Sequence, residues 1–182
     1  MNSRRFSLKP FPSAGLMPDL EITGSIERHS NALSISYELS GHMEELKLPA
    51  SADACVRKNG LWEETCFEFF LGVKDYERYW EFNLSPSGHW NVYRFKSYRL
   101  GMREEPAFTS LPFSVQLNSN SLLLYLGLEL DNIIPPQQAQ EVLQVAVSAV
   151  VKTIYGKTTY WALAHPGPRA DFHRRDGFII EL

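Results

Sequence analysis

Apolar side chains recur at every second position through much of this sequence, and this period limits the fold more than any other feature. Within residues 60–95, the segment 66–71 places Phe67, Phe69 and Leu71 on one side. Side chains two residues apart face the same side of a β-strand, whereas a helix needs apolar residues three and four apart. The pattern therefore predicts strands that bury one face in a core.

Seven other segments show the same alternation, and short turn sequences separate several of them. The segments span residues 20–28, 32–39, 79–84, 89–95, 113–117, 122–130 and 144–154. Residues 29–31 and the sequence Ser85-Pro86-Ser87-Gly88 are typical of chain reversals. About ten strands, with no long helical period and no repeat unit, predict an all-β fold. We expect a single-domain antiparallel β-sandwich, of jelly-roll or immunoglobulin-like type, spanning residues 1–182.

Two shorter segments give weaker strand patterns. In residues 1–18, which are rich in Pro, Ser and Gly, the apolar side chains of Phe6, Leu8 and Phe11 predict a short edge strand. Residues 45–49, with the sequence ELKLP, predict another short strand that ends at Pro49.

The charge and the apolar runs exclude several classes of partner. The net charge of −3 gives no broad basic surface to neutralise phosphates, so nucleic acid is not expected to bind. No segment reaches the roughly 20 apolar residues of a membrane helix, so no membrane span is expected. The N-terminus lacks the apolar run of a signal peptide, which favours a cytoplasmic location and reduced Cys55 and Cys66. Nothing in the sequence indicates an oligomeric state.

Metal binding and nucleophilic catalysis find little support. His165 and His173 lie eight residues apart in one loop without a nearby cysteine, and the usual zinc spacings are absent, so no metal is expected. There is no GxSxG elbow, and Cys66 in an aromatic strand has the character of a small core residue. The chain is therefore not expected to be an enzyme or to hold a cofactor.

Two carboxylates leave a catalytic alternative open. Glu68 and Glu81 both interrupt aromatic strands, and a pair of carboxylates is what a glycoside hydrolase needs. Buried charges are normally paired, however, so an ion pair with Arg78, Arg94 or another nearby base is the favoured interpretation.

Aromatic and polar side chains alternate on the central strands in a way that suits a sugar. A saccharide presents apolar C–H faces and a rim of hydroxyls, so aromatic rings pack on its face while carboxylate, amide and guanidinium groups bond the rim. Aromatic residues at alternate positions of a sandwich strand are more often core residues, so Trp80, Phe82 and Trp90 are expected in the core. Trp62 differs because it precedes its strand, beside Gly60.

Three sequence runs resemble a known superfamily. LWEETCFEFF, YWEFNLSPSGHWNVYRF and AVVKTIYGKTTYWAL look like the DOMON-like superfamily, in particular the branch similar to family-nine carbohydrate-binding modules. The resemblance covers residues 61–95 clearly and residues 145–163 loosely. It implies a β-sandwich whose sugar-binding members hold a terminal glucose unit between two tryptophans, beside carboxylate, arginine and amide groups.

The resemblance also implies roles for individual residues. Trp62 matches the first clamp tryptophan, Glu68 matches the carboxylate six residues later, and Arg94 matches the arginine of the returning strand. The second clamp residue has two candidates. Trp161 lies in residues 159–163, TYWAL, which are predicted to form a hairpin with the strand of residues 144–154. Phe172 lies in the loop of residues 170–173.

Three functional hypotheses follow. The first is a non-catalytic module that binds a small saccharide or polyol, through the side chains of Trp62, Glu68, Asn83, Arg94, Phe172 and Trp161. The second is a haem or metal carrier, because other DOMON relatives bind haem through a Met with a His or Lys. Here Met43 and Met102 lie in loops and match no specific ligand pair. The third is a glycosidase that uses Glu68 and Glu81.

Overall fold

The computed structural model describes residues 2–12 and 19–182, and part of the predicted N-terminal segment therefore lies outside the described residues. The described residues form thirteen strands in chain order. These are β1 (Asn2–Ser7), β2 (Lys9–Pro10), β3 (Leu20–His29), β4 (Ala32–Gly41), β5 (Cys66–Val73), β6 (Tyr79–Leu84), β7 (Trp90–Phe95), β8 (Arg103–Glu104), β9 (Phe113–Leu117), β10 (Ser121–Glu129), β11 (Leu143–Lys152), β12 (Thr158–Ala162) and β13 (Ile180–Glu181). Short 3-10 helices occupy Met43–Glu45, Leu61–Glu63, Leu130–Asn132, Pro136–Gln138 and Arg175–Gly177.

Two antiparallel sheets pack face to face. The first has the order β1-β3-β4-β10-β9, and the second has the order β2-β12-β11-β5-β6-β7-β8, with β13 paired to one end of β11. The predicted all-β antiparallel sandwich is confirmed. The predicted edge strand is present as β1, which pairs with β3 in full register from Asn2 opposite Arg28 to Ser7 opposite Thr23.

The main core lies between the two sheets, on the face that the alternation predicted. Phe67, Phe69, Trp80, Phe82 and Trp90 are all buried in it. The rings of Phe69 and Phe82 stack at 4.3 Å between centroids, with an angle of 8° between their planes. The turn at residues 85–88 also forms as predicted, because the N–H of Gly88 donates to the carbonyl of Ser85 at 2.9 Å.

Strands β5, β6 and β7 are buried on both faces. On the face away from the main core, a second cluster is formed by Phe70, Tyr79, Tyr93, Phe95, Ala146 and Phe178, with Phe172 packed against it. The C-terminal segment from Ala170 to Phe178 supplies part of this cover. Polar residues at these alternate strand positions are therefore enclosed rather than left in water.

Arg175 anchors the C-terminal segment to the sheet. Its guanidinium donates to the carbonyl of Val73 at 3.2 Å and to the side chain of Gln144 at 2.9 Å. A Cβ at Gly72 would lie 1.9 Å from Nη1 of Arg175, so a larger residue there would displace this guanidinium. The contact of Arg175 with β5 and β11 is thus one of those that hold the segment over the sheet.

The predicted strand at residues 45–49 is wrong. Only a single bridge forms there, between Leu46 and Thr153, and Met43–Glu45 is a 3-10 turn. Pro49 has no N–H to extend a ladder, which explains why the pairing stops. Among the described residues there is no helix with the length and apolarity needed to span a membrane.

Candidate functional site

A pocket of about 360 Å³ opens on the face of the second sheet that is turned away from the main core. We call it the outer-face pocket. Its aromatic lining residues are Trp62, Phe70, Phe95, Tyr160 and Phe172. Its ionisable lining residues are Glu68, Glu81, Arg99 and His173. Met102, Val150 and Ala170 complete the lining.

Strand alternation brings the two carboxylates into this pocket. Phe70 lies directly opposite Glu81 in the β5–β6 ladder, and Glu68 lies opposite Asn83. Glu68 and Glu81 are therefore diagonal neighbours on one face of the sheet, a separation across which long side chains still interact. Larger surface concavities exist elsewhere, but this pocket is the one that contains both buried carboxylates.

Among the described residues, Glu68 has no cationic partner for its buried carboxyl group. Glu68 is 2% exposed, and its Oε2 accepts a hydrogen bond from the hydroxyl of Ser148 at 3.4 Å, whereas Oε1 has no hydrogen-bond partner within residues 2–12 and 19–182. Burial, and secondarily the nearby Glu81, raises the pKa of Glu68 well above its usual value. The predicted ion pair with Arg78 or Arg94 does not form within the described part of the chain.

Glu81 is nearly as buried and is held by an amide. It is 5% exposed, and its Oε1 accepts a hydrogen bond from Nδ2 of Asn83 at 2.9 Å. Burial raises the pKa of Glu81 to about 7, against smaller opposing effects of Asn83 and Arg99. Oε2 faces Nε2 of His173 at 3.8 Å, which is too long for a hydrogen bond.

His173 is fixed in the pocket wall and is uncharged near neutral pH. Its Nδ1 is 2.9 Å from the hydroxyl of Tyr79, which also accepts the backbone N–H of Arg99 at 3.1 Å. We assign the Tyr79 hydroxyl as the donor to Nδ1, which places the ring proton on Nε2, facing Glu81. Burial, followed by the charge of Arg99, lowers the pKa of His173 to about 4.

Arg99 belongs to the rim and already has a counter-ion. Its guanidinium lies 2.8 Å from Asp171, and this pair joins the loop after β7 to the C-terminal segment. Asp171 also accepts the backbone N–H of His173 at 3.2 Å. The pair therefore positions the His173 wall of the pocket and neutralises the arginine there.

Aromatic side chains from five separate segments line the pocket, and three of these side chains are at least partly exposed. Trp62, on the 3-10 helix Leu61–Glu63, is 38% exposed and packs edge-on against Tyr93 at 5.7 Å. Gly60 starts this helix with a left-handed φ of 73°, a conformation that favours glycine. Tyr160, on β12, packs against Phe172 at 6.2 Å.

The structure brings together three of the predicted site residues, Trp62, Glu68 and Phe172. Asn83 is fully buried and is not part of the lining. Its side-chain amide instead donates a hydrogen bond to Glu81, which does line the pocket. Arg94 is exposed and lies opposite Trp80 in the β6–β7 ladder. Its side chain is therefore on the face of the sheet opposite to Glu68.

Trp161 and Arg94, which were predicted to bind the ligand, therefore lie outside the lining of the pocket. Trp161 is 3% exposed in the main core, and its indole N–H donates to Thr159. Its neighbour Tyr160 faces the pocket instead, as strand alternation requires once Trp161 points inward. Arg99 supplies the guanidinium that Arg94 was expected to bring, and no local sequence pattern marks this residue in its loop.

Of the residues considered for metal or haem, Met102 and His173 line the outer-face pocket, whereas His165 and Met43 lie outside it. His165 donates to the carbonyl of Lys9 at 2.8 Å and lies outside the lining of the pocket, whereas His173 lies within it. Within residues 2–12 and 19–182, no group of three or more His, Cys, Asp or Glu side chains is placed to hold a metal ion. Met102 lines the pocket, but Met43 packs against the main core.

Comparison with known proteins identifies the fold. No protein-family model and no curated protein matches the chain. A candidate carbohydrate-binding protein from Bacteroides uniformis is similar in structure, with a TM-score of 0.71 and 14% identity over 96% of this chain and 83% of the other. At that identity the likeness shows a shared fold alone.

Two weaker likenesses are to a family 9 carbohydrate-binding module from Caldicellulosiruptor kristjanssonii. The complex of that module with glucose has a TM-score of 0.45 and 10% identity, over 80% of this chain and 68% of the other. Its complex with cellotriose has a TM-score of 0.49 and 10% identity, over 81% and 67%. Neither likeness carries weight for the function of this chain.

Proposed function

We propose that this chain is a non-catalytic module that binds a small saccharide or polyol in the outer-face pocket. The observation that carries the proposal is that Trp62 and Glu68, which lie six residues apart, line one pocket together with Phe172 from the distant C-terminal segment. The shared fold with a candidate carbohydrate-binding protein is consistent with it. Membership of the DOMON-like superfamily remains a resemblance.

The chemistry of the pocket suits a polyhydroxylated ring. Trp62 and Phe172 offer ring faces and edges to C–H groups, and the pocket volume of about 360 Å³ lies in the range of small-molecule sites. Oε1 of Glu68 accepts no hydrogen bond from the described residues. A ligand hydroxyl that donates to it would remove the unfavourable free energy of an unsatisfied buried polar atom. Glu81 offers a second acceptor beside it.

A glycosidase is the alternative that would use the same two acids. It needs one carboxyl group that donates a proton and one that remains ionised. Burial raises the pKa of both Glu68 and Glu81, which suits a proton donor, but no Lys or Arg in the described part of the chain forms a salt bridge that would hold the other acid ionised. Turnover of an aryl glycoside that disappears in Glu68→Gln would instead establish the glycosidase hypothesis.

We expect Trp62→Ala to weaken saccharide binding at least tenfold, about 1.4 kcal/mol, because the exposed indole is the largest ring at the pocket. Calorimetric titration with monosaccharides and disaccharides measures this loss without relying on the substituted fluorophore. Tyr155→Ala removes another exposed ring, 75% accessible and outside the pocket lining, and should leave binding unchanged. Absence of saturable binding by the wild-type protein at millimolar sugar would contradict the proposal.

Haem binding is the second candidate because Met102 and His173 line the same pocket. The surroundings of His173 oppose it. Nδ1 is engaged by Tyr79 and Nε2 faces Glu81, so iron could bind only after one of these contacts is displaced. A Soret band in the purified or haem-reconstituted protein would favour this candidate, and a colourless protein would exclude it.

A further inference from the structure

We infer that the outer-face pocket selects a saccharide carrying a protonated amino group, a hexosamine, over its neutral counterpart. The inference rests on the proposed saccharide function and adds the charge of the ligand. Its basis is a pair of enclosed carboxyl groups without a cation, surrounded by aromatic rings.

The two acids are the first part of the argument. Glu68 is 2% exposed and Glu81 is 5% exposed, and they are diagonal neighbours on β5 and β6. Burial of a charge is costly unless a counter-charge and hydrogen bonds accompany it. In the part of the chain that the structure describes, Oε1 of Glu68 has neither, so an acceptor remains at the pocket floor that a cationic donor would satisfy.

The cationic groups nearby do not meet this need. Arg99 is committed to Asp171 at 2.8 Å. His173 is uncharged near neutral pH because burial lowers its pKa to about 4, and its Nδ1 is bonded to Tyr79. With Arg99 balanced by Asp171, Glu68 and Glu81 leave the pocket with an excess of acid.

The walls suit a cation as well as a sugar ring. Trp62, Tyr160 and Phe172 are at least partly exposed and line the pocket, and aromatic faces attract ammonium groups. An amino sugar can present its C–H faces to these rings and its ammonium to the carboxylates. A neutral sugar makes only the first set of contacts and hydroxyl hydrogen bonds.

Binding of a cation is then linked to proton release. The ionisable groups around Glu81 are Glu68 and Cys66 from β5, Tyr79 from β6, Tyr93 from β7, Arg99 from the following loop, and Asp171 and His173 from the C-terminal segment. Because the pKa of Glu81 is about 7 in the free protein, a permanent cation should bind more tightly as pH rises through that value. The affinity of a neutral ligand should not rise in this way.

Calorimetry on the full chain with D-glucosamine, D-glucose and N-acetyl-D-glucosamine tests the selectivity. We expect glucosamine to bind about tenfold more tightly than either neutral sugar at about pH 7, the effect of a charge-assisted hydrogen bond. Choline and its uncharged carbon isostere 3,3-dimethylbutan-1-ol separate charge from shape. We expect choline to be preferred, increasingly so between about pH 6 and about pH 8.

Glu68→Gln and Glu81→Gln keep the side-chain volume and remove the charge. Each should reduce the preference for glucosamine over glucose severalfold while glucose still binds. Glu21→Gln, an exposed position on the first sheet, is the matched control and should change neither affinity. Unfolding measurements on each variant establish that the comparison is between folded proteins.

The outcomes separate the two claims. Equal affinity for glucosamine and glucose would overturn the inference and leave the saccharide function standing. A choline preference with no sugar binding would support the cation site and overturn the saccharide function. No binding of any probe at millimolar concentration would overturn both.

Discussion

Replacing Phe69 by alanine is expected to lower the free energy of unfolding by about 3 to 5 kcal/mol. Phe69 is completely buried in the main core, and its ring stacks on Phe82 at 4.3 Å. Truncation removes both the transfer free energy of the ring and a stacking contact, and the close-packed sheets can refill the cavity only in part. Urea or guanidinium denaturation measures the change in midpoint.

Two variants make this measurement specific. Phe69→Leu keeps most of the apolar volume and should cost clearly less than the alanine change. Tyr125→Ala removes an aromatic side chain that is 52% exposed on the first sheet, and its effect should stay within about 0.5 kcal/mol. A cost below about 1 kcal/mol for Phe69→Ala would contradict the assignment of Phe69 to a tightly packed core.

Strand β5 serves the core and the pocket at the same time. Phe67, Phe69 and Leu71 face the first sheet, while Glu68 and Phe70 face the outer-face pocket. A register shift of one residue would exchange these two sets, placing a carboxyl group in the main core. The burial of three apolar side chains therefore also fixes the position of Glu68.

Most of the fold was predictable because the alternation of apolar residues is a local signal with a direct physical cause. The hairpin of β3 and β4 matches the predicted segments 20–28 and 32–39 to within two residues at each end. The prediction failed at residues 45–49, where Pro49 limits pairing to one bridge. The cover on the outer face of β5 to β7 was not predictable from the alternation of apolar residues, because part of it comes from the C-terminal segment, which is distant in sequence.

The site was predictable only in part for the same reason. Arg94 was assigned by resemblance, yet it has the same strand parity as Trp90 and Val92, which are core residues, and so it faces away from Glu68. Successive side chains of a strand point to opposite faces, so once Trp161 is placed in the core, its neighbour Tyr160 must face the pocket. Arg99 could not be found this way, because its position depends on contacts made after the chain folds.

We expect the stability of Glu81→Gln relative to wild type to increase with pH. The difference in unfolding free energy between the two proteins should grow by about 3 kcal/mol from about pH 4 to about pH 8. The folded protein holds a proton on Glu81 up to a pKa of about 7, whereas the unfolded chain releases it near the ordinary value of 4.5. Wild-type stability is therefore lost as pH rises through this window. Glutamine does not titrate and can still accept the hydrogen bond from Asn83.

The measurement is the difference in unfolding free energy between variant and wild type at each pH. The difference is needed because the titration of His173 changes wild-type stability with pH in the direction opposite to that of Glu81. Its pKa is lowered to about 4 from 6.5, so its contribution to stability is lost as pH falls through that range and partly masks Glu81 in wild type. Subtraction removes the common contribution of His173. A difference for Glu81→Gln that is flat with pH would mean that Glu81 titrates normally, and it would remove the enclosed acid on which the cation site depends.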